Sequence, residues 1–417
     1  MTRLRSIAVA ICLGVAVSTV AMLNSPAVYA QAPAKAKVSK AVGEPLKAAK
    51  AAMEKRQFDV ALNEIKRAQA VEKKSPAEEY QIDEFLAYVY GQQKEFAKAA
   101  AVYERMLNSG QMPPETIDEK TKLISQLYFQ GKEYKKATEW TKKWLEKHPG
   151  QEEMTAQLAY AYFLTDDFKN SGAIIGPLIS SIEKSGRTPK EDYVKLLLSA
   201  NFKQDDKDGI NESLKKMVRY YPKPDYWENL LDIYRRKNNS ERVTLGFYRL
   251  MNEVGILKDK GDYMEMAQLG IEAGVPGESQ QIVESGMSSG VLKSADKTEQ
   301  GRYDRLLAAA KKQATTDKAA LPQLQKDAEK AKTGQAEVGL GQAYMSYGQL
   351  DDAIAAIERG IKKGGLTDAD EAQVSLGIAY FKKGQKEQAR QAFKSVKSES
   401  KWTDLAELWA LRSQSNA

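Results

Sequence analysis

The sequence predicts an all-α superhelical solenoid in which antiparallel helix pairs stack one upon the next. The first reason is an internal repeat, because the segment Leu340–Tyr344 is echoed by Leu376–Tyr380, 36 residues later. The second is helical periodicity, since apolar residues recur at helical spacings on one face, as Phe85, Leu86, Val89 and Tyr90 do. One amphipathic hairpin cannot bury its apolar faces alone, so such units must stack.

The repeat keeps fixed offsets between small and large residues. Gly341 is followed by Tyr344 at +3, Ala353 at +12 and Ile357 at +16. Small residues suit places where two helix backbones approach closely, and large rings fill the gaps between neighbouring units. The same offsets recur from Gly377 and, with residues of like size, from Ala87, Ser125, Ala159 and Leu231. They predict repeat units that start near residues 42, 80, 118, 152, 191, 224, 260, 334 and 370.

These motifs resemble the tetratricopeptide repeat, whose signature is Trp-x-x-Leu-Gly-x-x-Tyr in a first helix, Ala-x-x-x-Phe in a second helix, and then proline. The first-helix signature is matched by Trp227, Leu230 and Tyr234, with Leu231 at the glycine place. Both helices are matched by Leu376, Gly377, Tyr380, Ala389 and Phe393, and the closing proline by Pro149 and Pro222. The resemblance covers most of the chain after residue 30 and implies both the fold and a binding role.

The resemblance also implies where a partner binds, because the first helices of such arrays line a concave groove that holds an extended or helical segment of another protein. In this sequence the groove-facing positions are Tyr88, Gln126, Phe129, Tyr160, Phe163, Lys195 and Ser199. Aromatic rings supply large contact areas, and amides pair with a partner backbone. The alternative for each ring is packing between helices, since a register error of one residue moves a side chain to another face.

One binding mode of the family fits the sequence poorly. A carboxylate clamp requires Lys and Asn on successive first helices. Lys122 and Lys195 are present, but Gln126 and Ser199 stand where Asn is required. This difference argues against recognition of a free C-terminus in that manner.

The N-terminus has the parts of a secretory signal. Two arginines, the second of them Arg5, precede an apolar run that ends at Leu23, and small residues mark a cleavage site after Ala30. Removal of residues 1–30 also removes Cys12, the only cysteine, and a cysteine-free exported chain suits a Gram-negative periplasm. No later apolar stretch is long enough to cross a membrane, so we expect no membrane span after cleavage.

Beyond the signal peptide, the sequence pattern predicts four segments. They are a flexible leader at 31–41, an N-terminal repeat block at 42–290, an atypical helical hairpin linker at 291–333, and C-terminal repeats with a capping helix at 334–417. The hairpin is predicted from Leu306 and Leu307 and from a second amphipathic stretch after Pro322. It is either a hinge or a worn repeat.

The composition excludes most site chemistry. One His and one Cys cannot form a His-based triad, a His-cluster metal site or a disulfide scaffold. We therefore predict no catalytic residue, no metal site and no cofactor. His148 lies at a helix end just before Pro149, where a cation suits the helix dipole. The formal charge is +7, but lysines and acids alternate along the chain, so no nucleic-acid partner is predicted.

The sequence thus predicts a non-enzymatic periplasmic scaffold or adaptor that mediates protein–protein interactions in a cell-envelope complex. Its partner is a protein or peptide segment in the concave groove. The alternative is a soluble periplasmic binder that takes peptide or glycan ligands in the same groove.

Signal cleavage gives the first testable prediction. N-terminal sequencing of the chain recovered from the cell envelope should start at Gln31. Replacing Ala30 with arginine should leave residues 1–30 attached, because the peptidase requires a small residue there. Recovery of the unaltered chain with Met1 in place would contradict the prediction.

Overall fold

The computed structural model describes residues 38–235 and 240–414, and this part of the chain forms twenty α-helices and no strand. The predicted signal peptide at 1–30 and residues 31–37 of the predicted leader lie outside the described residues. The helices, in chain order, are α1 Lys40–Glu54, α2 Phe58–Gln69, α3 Pro76–Gln92, α4 Phe96–Asn108, α5 Pro114–Gln130, α6 Tyr134–Leu145, α7 Glu152–Leu164, α8 Phe168–Lys184, α9 Glu191–Lys203, α10 Lys207–Tyr220, α11 Pro224–Arg235, α12 Glu241–Glu253, α13 Lys260–Glu272, α14 Pro276–Ser288, α15 Lys297–Lys330, α16 Gln335–Ser346, α17 Leu350–Lys363, α18 Ala369–Lys382, α19 Lys386–Lys394 and α20 Thr403–Gln414.

The chain divides into two compact units. Unit 1 ends at Ile210, and unit 2 begins at Asn211. Neither the repeat pattern nor a change in composition marks this point. Within each unit, consecutive helices pack as hairpins, and the hairpins stack. The all-α repeat architecture predicted from the sequence is confirmed.

The predicted starts of the helix pairs agree with the structure to within four residues. Each of the nine predicted starts has a first helix at the matching place in the part of the chain that the structure describes. These helices begin at residues 40, 76, 114, 152, 191, 224, 260, 335 and 369. The small-residue spacing is therefore a reliable marker of where one pair ends and the next begins.

Most of the pairs turn with the same backbone geometry. One residue with positive φ follows the first helix, and the next backbone N–H donates to the carbonyl five residues earlier, at 2.8–3.0 Å. Glycine takes the positive-φ place in three turns that the structure describes in unit 2, since it adopts that region without strain. Unit 1 instead uses residues with side chains. The glycines are Gly274, Gly348 and Gly384, and the unit 1 residues are Arg56, Lys94, Lys132, Asp166 and Asp205.

Small residues allow the two helices of a pair to touch. A Cβ atom at Gly341 would overlap the side chain of Ile357 and the carbonyl of Ala353, and one at Gly377 would overlap the Phe393 ring. The equivalent Ala159 in unit 1 is fully buried. These are the pairs of positions that the sequence offsets predicted.

The prediction of a hairpin at 291–333 is wrong. Residues Lys297–Lys330 form one continuous helix of 34 residues, α15, with Pro322 inside it. Proline removes the hydrogen bond to the carbonyl four residues earlier. That carbonyl belongs to Lys318, whose exposed position lets water replace the missing donor, so the helix continues. A thin stripe of α15, which includes Tyr303, Ala310 and Leu321, is buried against its neighbours.

The predicted C-terminal helix is present as α20. None of the helices described between residues 38 and 414 has both the length and the apolar character that crossing a bilayer requires.

Two glycines on α16 provide a matched test of helix packing. Gly341→Leu should lower the free energy of unfolding by about 1–3 kcal/mol, because the new side chain overpacks the contact with Ile357. Gly339→Leu should have little effect or stabilise slightly, because nothing lies near that position and leucine favours helix. Urea unfolding followed by circular dichroism measures both, and equal effects would contradict this packing.

Candidate functional site: the first-helix face of unit 1

All seven predicted groove residues lie on first helices of unit 1, and we call the surface formed by α3, α5, α7 and α9 the first-helix face. Helices α7 and α9 touch directly, as do α1 and α3. The predicted residues are Tyr88 on α3, Gln126 and Phe129 on α5, Tyr160 and Phe163 on α7, and Lys195 and Ser199 on α9. Because the pairs stack, residues about 37 positions apart in the sequence occupy equivalent places on neighbouring first helices of this face.

Four of the seven side chains are half-buried. The Tyr88 ring meets Phe58 edge-on, with the ring centres 6.5 Å apart, and Phe163 meets Phe168 in the same way at 5.2 Å. The Gln126 side chain makes no hydrogen bond to any of the residues that the structure describes. Its amide keeps a donor and an acceptor for a partner backbone.

The other three side chains are buried. Phe129 packs edge-on against Tyr134 at 5.5 Å, and the Tyr160 hydroxyl donates to the backbone carbonyl of Asp192 at 3.1 Å. Burial raises the pKa of Tyr160 well above its usual range. The Ser199 hydroxyl is buried without a hydrogen-bond partner among the described residues. These three side chains pack between helices, which is the alternative that the register left open, and their contact with a partner stays a prediction.

The cations on this face are already engaged. Lys195 Nζ lies 3.2 Å from Glu191 Oε1 and 3.8 Å from Asp192 Oδ1. Lys122 Nζ lies 5.1 Å from the centre of the Trp144 ring, at cation–π distance. Both lysines thus have partners within the chain, and asparagines are absent from the clamp positions. These two observations agree in arguing against a carboxylate clamp on this face.

An aromatic edge along the face was not predicted from the sequence. The second helix of four successive pairs begins with a half-buried aromatic residue, and two of these rings make the edge-on contacts with Phe129 and Phe163. Leu164 lies next to Phe163 and is 37% exposed. The signal was available, since three of the four rings are spaced by 38 residues. These residues are Phe58, Phe96, Tyr134 and Phe168.

Comparison with known proteins identifies the repeats. The tetratricopeptide repeat family model matches residues 46–113 and 338–402, which contain helix pairs of the predicted spacing in both units. The chain therefore contains tetratricopeptide repeats. Such repeats support a role as a protein-interaction scaffold, and the fold is typically non-enzymatic.

The solved structures that the chain is similar to are only distantly alike. A tetratricopeptide repeat protein from Parabacteroides merdae ATCC 43184 is 12% identical, with a TM-score of 0.31, over 90% of this chain and 100% of that one. The Naa15/Naa10 complex bound to HypK-THB is 14% identical, with a TM-score of 0.33, over 90% of this chain and 67% of that one. The apo form of RapI is 15% identical, with a TM-score of 0.29, over 66% of this chain and 99% of that one. No function follows from likeness at this level. No curated protein sequence matches the chain.

The only histidine of this repeat protein has a structural environment. The His148 ring stacks on Trp144 at 4.3 Å, and its Nε2 lies 2.8 Å from Asp118 Oδ1. In the described ranges 38–235 and 240–414, no cluster of three or more His, Cys, Asp or Glu residues could hold a metal ion.

A cleft of about 560 Å³ lies between α3 and α4, beside the end of α2. The Arg105 guanidinium crosses it to Asp83, with Nε 2.8 Å from Oδ2. Tyr80 and Tyr90 line its walls, and Met106 contributes to its apolar floor. Sequence reasoning did not mark this cleft, because no single repeat position defines it.

The Glu84 carboxyl group on α3 has a strongly raised pKa. Burial raises its pKa from 4.5 to about 7, and the charge of Lys120 only partly opposes this effect. Between pH 4.5 and 7 the folded chain therefore binds a proton at Glu84 that the unfolded chain releases. This group makes the protein less stable as the pH rises through that window.

Replacing Glu84 tests this environment. Glu84→Gln should raise the free energy of unfolding at pH 8 by up to about 3 kcal/mol, with a smaller gain near pH 4.5. Urea unfolding at several pH values provides the measurement. Glu79→Gln, an exposed substitution on the same helix, should not reproduce the pH-dependent gain. A Glu84→Gln effect that is constant with pH would contradict the assignment.

Proposed function

We propose that this protein is a non-enzymatic scaffold of the periplasm, which binds a partner protein on the first-helix face of unit 1 and joins it to a cell-envelope complex. The tetratricopeptide repeats support the interaction role. The signal-like N-terminus and the absence of cysteine after residue 30 support export.

The observation that carries the binding proposal is the set of half-exposed side chains on successive first helices. Tyr88, Gln126 and Phe163 come from three consecutive pairs, and the more exposed Leu164 extends the set. A linear partner segment would meet one such side chain per pair. Rigid aromatic rings bind with little loss of conformational freedom, and a half-buried amide can exchange its hydrogen bonds to water for bonds to a partner backbone.

The aromatic edge supports the second candidate, a periplasmic binder of free peptides or glycans. Rings spaced by one helix pair suit a repeating polymer as well as a protein segment. The two candidates differ in what accompanies the protein. A scaffold co-purifies with an envelope protein in fixed ratio, whereas a ligand binder is recovered alone and retains a labelled glycan or peptide.

Two exposed leucines provide a matched test of the face. Leu164 on α7 is 37% exposed and Leu324 on α15 is 41% exposed, so aspartate at either place should cost similar stability. Affinity purification from the native envelope, with quantitative mass spectrometry, should show that Leu164→Asp loses the partner at least tenfold and that Leu324→Asp keeps it. Equal recovery of the partner with both variants would contradict binding on the first-helix face.

A further inference from the structure

The last helix of unit 2 is buried on more sides than a terminal helix requires. A terminal capping helix normally keeps a polar outer face toward water. In α20, by contrast, only Glu407 and Gln414 are exposed. The buried residues cover more than half of the helix circumference and include Leu405, Leu408, Trp409 and Leu411. A helix buried over so wide an arc must be covered from more than one direction.

One covering comes from the neighbouring repeat, as expected of a cap. The Trp409 ring stacks near Phe393 of α19 at 6.3 Å and meets Phe381 of α18 edge-on at 5.4 Å. The Arg390 guanidinium donates to the backbone carbonyl of Ser413 at 3.1 Å. These contacts complete the stack formed by α16–α19.

The second covering comes from α12, far earlier in the chain. The Leu405 side chain lies against Gly246, so closely that a Cβ atom at that glycine would overlap it. Arg412 Nη2 lies 3.0 Å from Glu253 Oε1, across 159 residues of sequence. Lys215 Nζ, on α10, lies 2.7 Å from Glu407 Oε1, across 192 residues. The contact is thus one leucine packed on a glycine, together with two ion pairs. In one pair α20 supplies the acidic residue, and in the other it supplies the basic residue.

A further ion pair joins the same two parts of unit 2. Arg242 on α12 pairs with Glu371 in the first turn of α18, so α12 also contacts the C-terminal repeats directly. Arg242 and Glu407 are close to half exposed. Solvent-exposed ion pairs contribute little net stability and are screened by salt. The return contact thus combines one packed leucine with ion pairs, and Lys215 and Arg412, the cations of the two pairs that hold α20, are each only 13% exposed.

We propose that the α12 face of unit 2 is a docking site for an amphipathic helix, and that α20 occupies it as the protein's own ligand. The site recognises three side chains along the docked helix. A leucine packs on Gly246, and an acidic residue two positions later pairs with Lys215. An arginine seven positions after the leucine pairs with Glu253. A partner helix with this pattern competes with α20. Unit 2 is closed to such a partner while α20 is docked.

The test separates the receptor from its built-in occupant. A full-length chain with Glu407→Lys and Arg412→Glu weakens α20 and leaves the α12 face unchanged. A fluorescein-labelled synthetic peptide of residues 400–414, with the natural sequence, is the probe. Fluorescence anisotropy should show it binding this variant at least tenfold more tightly than the unaltered chain. Adding Gly246→Leu should abolish that binding, because the new side chain fills the space of the docked leucine.

Two controls keep the test decisive. One control reverses the charges of both ion pairs at once, with Lys215→Glu, Glu253→Arg, Glu407→Lys and Arg412→Glu. Opposite charges then face each other again in both pairs. This four-fold variant should not bind the natural peptide, and it should regain the stability of the unaltered chain. If the weakened variant alone unfolds, recovery of folding in this exchange still shows the charge pairing. Equal peptide binding by the weakened and unaltered chains, or binding that survives Gly246→Leu, would overturn the proposal. So would failure of the exchange to restore closure.

Discussion

The fold depends on the close approach of two helix backbones inside each pair. Where Gly341 faces Ile357, or Gly377 faces the Phe393 ring, the missing side chain lets the large one lie directly on the opposing helix. A hairpin closed in this way turns its remaining apolar surface outward on both sides. That surface is buried only when another pair stacks on it, so the repeat is a consequence of how each pair closes.

Stacking then determines where side chains can meet a partner. Positions one pair apart fall on neighbouring first helices, and α7 and α9 are linked directly by the Tyr160 hydroxyl and the Asp192 carbonyl. In unit 1 this arrangement leaves Tyr88, Gln126 and Phe163 half-exposed in a row. In unit 2 the chain instead returns on itself, since α20 covers α12. The same repeat thus supplies an open face in one unit and a covered one in the other.

The sequence predicts the local structure well because the constraint is local. Small residues at fixed offsets locate every helix pair to within four residues, and the glycine contacts at Gly341 and Gly377 follow from the same offsets. The depth of a side chain is harder to predict. Phe129 and Ser199 occupy the expected helices but are buried, since a small rotation of the helix moves a residue from the face to an interface.

Two features had no local signal. Proline in a helix interior removes a backbone hydrogen bond and usually breaks or kinks the helix. At Pro322 the carbonyl left without a donor belongs to the exposed Lys318 and can bind water, so α15 continues. The docking of α20 on α12 joins residues 159 and 192 positions apart, and no repeat offset connects them. Periodicity describes neighbours in the stack, whereas this contact joins helices that are not neighbours in the stack.

The most direct measurement of the central claim is site-specific photo-crosslinking in the living cell. A photoreactive phenylalanine analogue replaces Gln126 on α5 or, as a control, the exposed Glu139 on α6 of the same pair. The account predicts a discrete crosslinked envelope protein from position 126 and none from position 139. The same products from both positions, or none from position 126, would contradict a partner site on the first-helix face.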